Sequence, residues 1–254
     1  MTEPIAFTMI ACTTIAVTTI DGVRLIGRRW PLPRPRAVVL VVHGFSASST
    51  ESNVVALAEH LHTASFEVLA YDARGHGGSG GECTLGDLER HDVAAAIGSA
   101  RRAGTPLVVA AASMGAIAAL HHGSTQPGAI DGLVIVSCPA RWRLPRNVRG
   151  VLAALMTNTA LGRWAARRQL GVRIARRVAR PAPPVELIGR IGAPVAVVHG
   201  ADDPFIDPAD AGTLHDAAHE PRRVEIVDGM GHAFPAPSHA PVLRAIDWIL
   251  DERR

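Results

Sequence analysis

Residues 107–116, LVVAAASMGA, form an apolar run that stops on Ser113 and restarts with helical character. Leu107 to Ala110 are continuously apolar and partly β-branched, which over so few residues reads as a strand buried on both faces. Ala111 lies two positions before the serine and Gly115 two after it. That placement of small residues suits a sharp strand-to-helix turn, because bulk at either position would strike a neighbouring strand or helix. Such a turn lifts the serine hydroxyl clear of the sheet and sets the backbone N–H of Met114 at a helix N-terminus, where a developing oxyanion can be held. Serines flanked by small residues are common in an Ala-rich and Gly-rich chain, so the reading depends on what surrounds this one.

The chain of 254 residues is 48% hydrophobic, enough to bury one sizeable α/β domain with an insertion. Cys12, Cys83 and Cys138 are odd in number, far apart and without metal-type spacing. They argue against a disulfide framework and for a reducing, cytoplasmic compartment. Residues 4–20 are apolar but laced with threonine, preceded by Glu3 and without a basic n-region, and read as a strand rather than a signal peptide or lipoprotein anchor. All 26 basic residues are arginine. That pattern points to the codon usage of a GC-rich genome, so arginine counts are discounted before they are read as function.

Two β-rich runs, 13–20 and 23–30, flank Asp21-Gly22, a strong hairpin signal. Pro31, Pro33 and Pro35 end the hairpin. Residues 37–44, AVVLVVHG, read as a central parallel strand whose end, His43-Gly44-Phe45, enters a loop. In a doubly wound sheet this loop lies beside the serine turn, which makes the N–H of Phe45 a candidate second oxyanion donor, with His43 a packed histidine. A helix over 51–64 and a strand over 66–72 follow. Then comes DARGHGGSG, 72–80, a specialised turn that matches neither of the Gly-rich phosphate-binding patterns. Asp72, Arg74 and His76 are expected to brace this loop rather than to react. A long helix is expected over 85–103, another over 114–122 and a strand over 129–139, an alternation that calls for a mostly parallel sheet covered on both faces.

The alternation breaks at residue 140. From Arg141 to Arg180 there are eleven arginines and no acidic residue, against 15 Arg and 23 Asp plus Glu elsewhere. Leu170, Ile174 and Val178 recur one turn apart with arginines off that face, which predicts an amphipathic helix. Residues 140–190 therefore read as a helical cap inserted into a core of 1–139 and 191–254. The strand returns at 193–203, APVAVVHGADD, and closes on Asp202 and Asp203, either of which can reach an imidazole from the sheet's carboxyl rim. Residues 222–234 supply a last strand and a Gly-Met-Gly turn presenting His232. Serine, acid and base thus each follow a strand, in the order Ser, Asp, His.

LVVHGF, YDARGHGGSGG, AASMGA, HGADD and GMGHAF together resemble the α/β-hydrolase superfamily, and within it the serine aminopeptidase and monoacylglycerol-lipase-like branch. The resemblance spans residues 40–234 and implies an eight-stranded, mostly parallel sheet. It also implies a metal-free Ser-Asp-His hydrolase acting on carboxylic esters or related acyl bonds. The branch's spacing from Gly200 selects Asp203 over Asp202. Its usual Gly-His-Ser-Met-Gly-Gly is here Ala111-Ala112-Ser113-Met114-Gly115-Ala116, which leaves every triad member in place. Thioester, amide or peptide substrates stand as alternatives on the same triad, and a non-catalytic binder as the outsider.

No cofactor or metal is expected. His215 and His219 lie four apart on a helix without a third ligand, and read, like His121-His122, as ordinary surface histidines. Aromatic content of 4% and the lack of a recognition motif speak against nucleic acid. The arginine-rich cap is compatible with an anionic membrane surface, an anionic acyl carrier or a merely solvated face.

Overall fold

The computed structural model describes residues 12–143 and 148–253. The reading of residues 4–11 as strand rather than leader lies outside them. One eight-stranded sheet runs in the order β1-β2-β4-β3-β5-β6-β7-β8. β1 (Thr13–Thr18) and β2 (Arg24–Trp30) form the expected antiparallel hairpin, with Gly22 at a positive φ of 81° in its turn. β2 pairs antiparallel with β4 (Glu67–Tyr71), and all the remaining neighbours are parallel. The central strands β3 (Val38–Val42), β5 (Leu107–Ala112), β6 (Gly132–Val136) and β7 (Val195–Gly200) are buried at every position. β8 (Arg222–Val227) closes the sheet as an edge strand and stops before the glycine turn, so residues 228–234 are loop.

Alternation of side chains across the pleat divides the core in two. Val39, Val41, Val108 and Val198 meet α1 (Ser52–Thr63) and α8 (His239–Glu252) through Leu57, Leu61, Ile246 and Ile249. Leu40, Val42, Val109 and Val197 face α2 (Glu89–Ala100), α3 (Met114–Thr125), α6 (Pro184–Ile188) and α7 (Ala209–Ala217). This is the α/β-hydrolase architecture, and no helix among the described residues is long and apolar enough to cross a membrane.

Two expectations need correction. The helix expected over 85–103 is confined to α2, because Leu85 and Gly86 take positive φ of 59° and 103°. The buried Glu89 carboxylate draws that turn in, accepting the N–H groups of Thr84 and Gly86 at 2.6 and 2.8 Å. The amphipathic helix expected over 170–180 does not form. Between β6 and α6 the chain instead forms α4 (Val148–Asn158) and α5 (Ala160–Gln169), and Gly171, at φ 67°, turns it out of α5 in a conformation that suits glycine. Ile174 then forms a parallel bridge with Cys83.

Candidate active site

The parallel strands end together on one rim, with Val42 level with Ala111, Ala112 with Val136, Val136 with Val198, and Gly200 with Val227. Ser113 is the first residue past β5 and stands at φ 51°, ψ −118°, a conformation non-glycine residues rarely adopt and one concentrated at functional turns. Its N–H donates to the Val136 carbonyl at 2.9 Å, which ties the turn to β6. α3 starts on the next residue, so the Met114 N–H lies in a first turn whose amides have no partner within the helix. Gly115 lets α3 rest on β3: a Cβ there would lie 2.5 Å from the His43 carbonyl oxygen and 2.7 Å from that of Val42. A Cβ at Gly44 would lie 3.2 Å from that of Ser113, so the loop after β3 grazes the serine. Ala111 is wholly buried in β5, and its methyl group is accommodated there.

Asp203 and His232 meet across two loops. His232 Nδ1 stands 2.8 Å from Asp203 Oδ2, with the carboxylate fully buried and the imidazole 22% exposed. The other carboxylate oxygen accepts the N–H groups of Phe205 and Ile206 at 2.9 and 3.0 Å. Burial opposes the charge on Asp203. The bond to His232 and the two amides outweigh it, and hold the carboxyl below its ordinary value. Asp202 is exposed and offers only its backbone N–H, to the Met230 carbonyl at 3.1 Å. At Gly200 a Cβ would lie 2.2 Å from the Met230 carbonyl oxygen, so glycine is what lets the acid loop pass beneath the histidine loop. Gly44, Phe45, Glu51, Phe205, His232 and Phe234 line a common cleft of about 380 Å³.

The remaining residues singled out from sequence are turned into support. His43 is buried, and its Nε2 accepts the Ala73 N–H at 2.9 Å, so the proton sits on Nδ1 and is donated to the Gly44 carbonyl at 2.7 Å. Burial, followed by the neighbouring His76, pushes its pKa down to about 4 and keeps the ring neutral. Asp72 accepts the N–H of Ser49 at 2.7 Å and of Gly78 at 2.8 Å, joining the two loops. Arg74 bonds Asp92 through Nε at 2.8 Å and Asp21 through Nη1 at 2.7 Å. Burial opposes its charge, and the two carboxylates overcome that and raise its pKa. The His76 ring lies 5.2 Å from that of His43 and 5.9 Å, edge to face, from that of Phe45.

Two residues beside the Asp203–His232 pair were not singled out from the sequence. Ser137, just past β6, is wholly buried at φ 50°, and its Oγ accepts the Ala233 N–H at 3.1 Å, anchoring the loop that carries His232. His199 is buried with Nε2 3.3 Å from the Ile206 carbonyl and 3.6 Å from Asp203 Oδ2. The repeated His-Gly at the ends of β3 and β7 was the only trace of His199 in the sequence, and nothing near Ser137 distinguished it. His215 pairs with its neighbour Asp216, and among the described residues no group of three or more His, Cys, Asp or Glu is placed to hold a metal ion.

The sequence profile of a family described as serine aminopeptidase, S33 matches residues 33–184, more than half of the chain, including the loops of His43, Asp72 and Ser113. No curated protein matches in a direct sequence comparison. Among solved structures, the Pyrococcus furiosus esterase Pf2001 is similar at 20% identity and a TM-score of 0.74, over 95% of this chain and 94% of that one. The esterase domain of a Rhodothermus marinus protein is 20% identical at a TM-score of 0.67, over 95% and 99%. DcsB, solved with a substrate analogue, is 14% identical at a TM-score of 0.73, over 95% and 99%. At these identities the likeness is one of fold.

Proposed function

The chain belongs to the serine aminopeptidase S33 family of α/β-hydrolases, and on that premise we propose that it hydrolyses carboxylic esters with Ser113 as nucleophile, His232 as base and Asp203 as acid. The observation that carries this reading is the 2.8 Å bond between His232 and the buried Asp203 on the strand rim where Ser113 stands in its strained turn. Asp203 occupies Nδ1, which leaves Nε2 to take the Ser113 proton as Oγ attacks the acyl carbonyl. The N–H groups of Phe45 and Met114 receive the negative charge on the carbonyl oxygen. His232 then protonates the departing alcohol, an acyl-serine remains, and water attacks it by the same route to release the acid.

Phe205 and Phe234 give the cleft apolar walls suited to an acyl or alkyl group, and two fold neighbours are esterases by name. The second of these favours an ester over an amide. A panel of p-nitrophenyl esters of graded chain length, run beside acyl-coenzyme A and an aminoacyl anilide, tests the reading. Fastest turnover on an ester, abolished in Ser113→Ala, is the expected result.

In the same reading residues 140–190 form a cap that rests on an anionic lipid surface. Leu161 and Trp164, one turn apart on α5, are 74% and 57% exposed, and Leu152 and Leu155 on α4 are 57% and 52% exposed. The Arg168 guanidinium lies 5.7 Å from the Trp164 ring, and residues 141–180 carry no acidic side chain. Apolar side chains set among arginines match the boundary between anionic headgroups and acyl chains.

A further inference from the structure

Residues 173–175, in the return from the insertion to the core, are bound into the loop that supports the proposed oxyanion donors. The Arg173 N–H donates to the Gly75 carbonyl at 2.8 Å, its carbonyl accepts the Cys83 N–H at 2.7 Å, and the Ala175 N–H donates to the Cys83 carbonyl at 2.9 Å. The Arg173 side chain continues the clamp, with Nε donating to the Gly81 carbonyl at 3.2 Å and Nη2 to that of Ser79. Gly75, at φ 77°, has no room for a side chain: a Cβ would lie 2.5 Å from the Arg173 carbonyl oxygen.

Both grips lead to the side chain of a residue proposed as an oxyanion donor. Gly75 precedes His76, whose ring packs against His43 and Phe45. The Cys83 thiol donates to the Met114 sulfur at 3.6 Å. The geometry points to Arg173 as a positioning residue: its guanidinium, on the carbonyls of Ser79 and Gly81, fixes the loop between Gly75 and Cys83, and so holds the two backbone grips that lead to Phe45 and Met114 in register. This inference rests on the proposed roles of Phe45 and Met114. Its energetic basis is that an oxyanion donor acts only at the correct distance, and losing one outright costs roughly 100-fold to 1,000-fold in turnover.

The test compares wild type, Arg173→Ala and Arg173→Lys, with Arg177→Ala as an exposed control on the same segment. Ester hydrolysis is measured together with inhibition by a trifluoromethyl ketone, which forms a tetrahedral adduct on serine, and with the melting temperature. Arg173→Ala is expected to lower kcat by about 10-fold with KM changed less than about 2-fold, and to weaken the ketone by the same factor as kcat/KM. Arg173→Lys, which keeps one donor, is expected to recover part of both losses and gives the comparison if the alanine variant does not fold. Unchanged kcat and ketone affinity would overturn the inference, as would a loss confined to KM or to melting temperature. Wild-type enzyme that neither hydrolyses esters nor binds the ketone would instead remove the hydrolase reading beneath it.

Discussion

His232 Nδ1 lies 2.8 Å from a carboxylate oxygen of Asp203 that is sealed from solvent, while Asp202, one residue earlier, is exposed and reaches the histidine loop only through its backbone. The pair therefore separates two acids that the sequence sets side by side. Asp203→Asn keeps the shape but removes the acceptor that holds the proton on Nδ1, and turnover on a p-nitrophenyl ester is expected to fall about 10,000-fold. Asp202→Asn is expected to stay within about 2-fold. Equal losses in the two variants would reassign the acid.

Gly115 makes a prediction whose sign opposes helix propensity. Alanine in place of glycine within an exposed helix gains up to about 1 kcal/mol. At position 115 the new methyl group would press on the carbonyls of His43 and Val42 at 2.5 and 2.7 Å. Gly115→Ala is expected to destabilise by about 1–3 kcal/mol through overpacking. Gly98→Ala, on α2 with open space around it, is expected to be neutral or stabilising. Urea unfolding of the two variants decides it.

His43 links stability to acid. Its folded pKa of about 4 lies below the ordinary 6.5, so between those values the unfolded chain binds a proton that the folded one refuses. This contribution is fully present above pH 6.5 and is lost as pH falls to about 4, by about 3 kcal/mol in all. The neighbouring His76 and, on β7, the buried His199 are shifted in the same direction and add to the slope. Chemical denaturation at several pH values is expected to show a shallower acid decline in His43→Gln, by about one proton's worth, than in wild type. Parallel declines would mean that the ring protonates freely in the folded state.

Wild-type protein is expected to co-sediment with vesicles containing phosphatidylglycerol and not with pure phosphatidylcholine, and to release as salt rises. Leu161→Glu combined with Trp164→Glu is expected to abolish the association while leaving hydrolysis of a soluble ester in place. Salt-sensitive turnover of acyl-coenzyme A without vesicle binding would assign the arginines to an anionic acyl carrier.

The parallel core was legible because its strands are unbroken apolar runs, and the serine turn because Ala111, Ser113 and Gly115 imply a backbone shape. What escaped depends on contacts distant in sequence. Cys83 draws residues 173–175 into a bridge, where the spacing of Leu170, Ile174 and Val178 suggested a helix. Glu89 folds the turn before α2 onto itself. Ser137 matters only because the loop of His232 returns to it from 96 positions away. Local periodicity reports which face is apolar, and says nothing of which backbone amide a distant segment will claim.

The most direct measurement is covalent labelling by a fluorophosphonate, followed by peptide mapping. One phosphonylated residue, Ser113, is expected, with the adduct lost in Ser113→Ala and slowed sharply in His232→Ala. A folded wild-type protein that stays unlabelled, or labels at another residue, would contradict it.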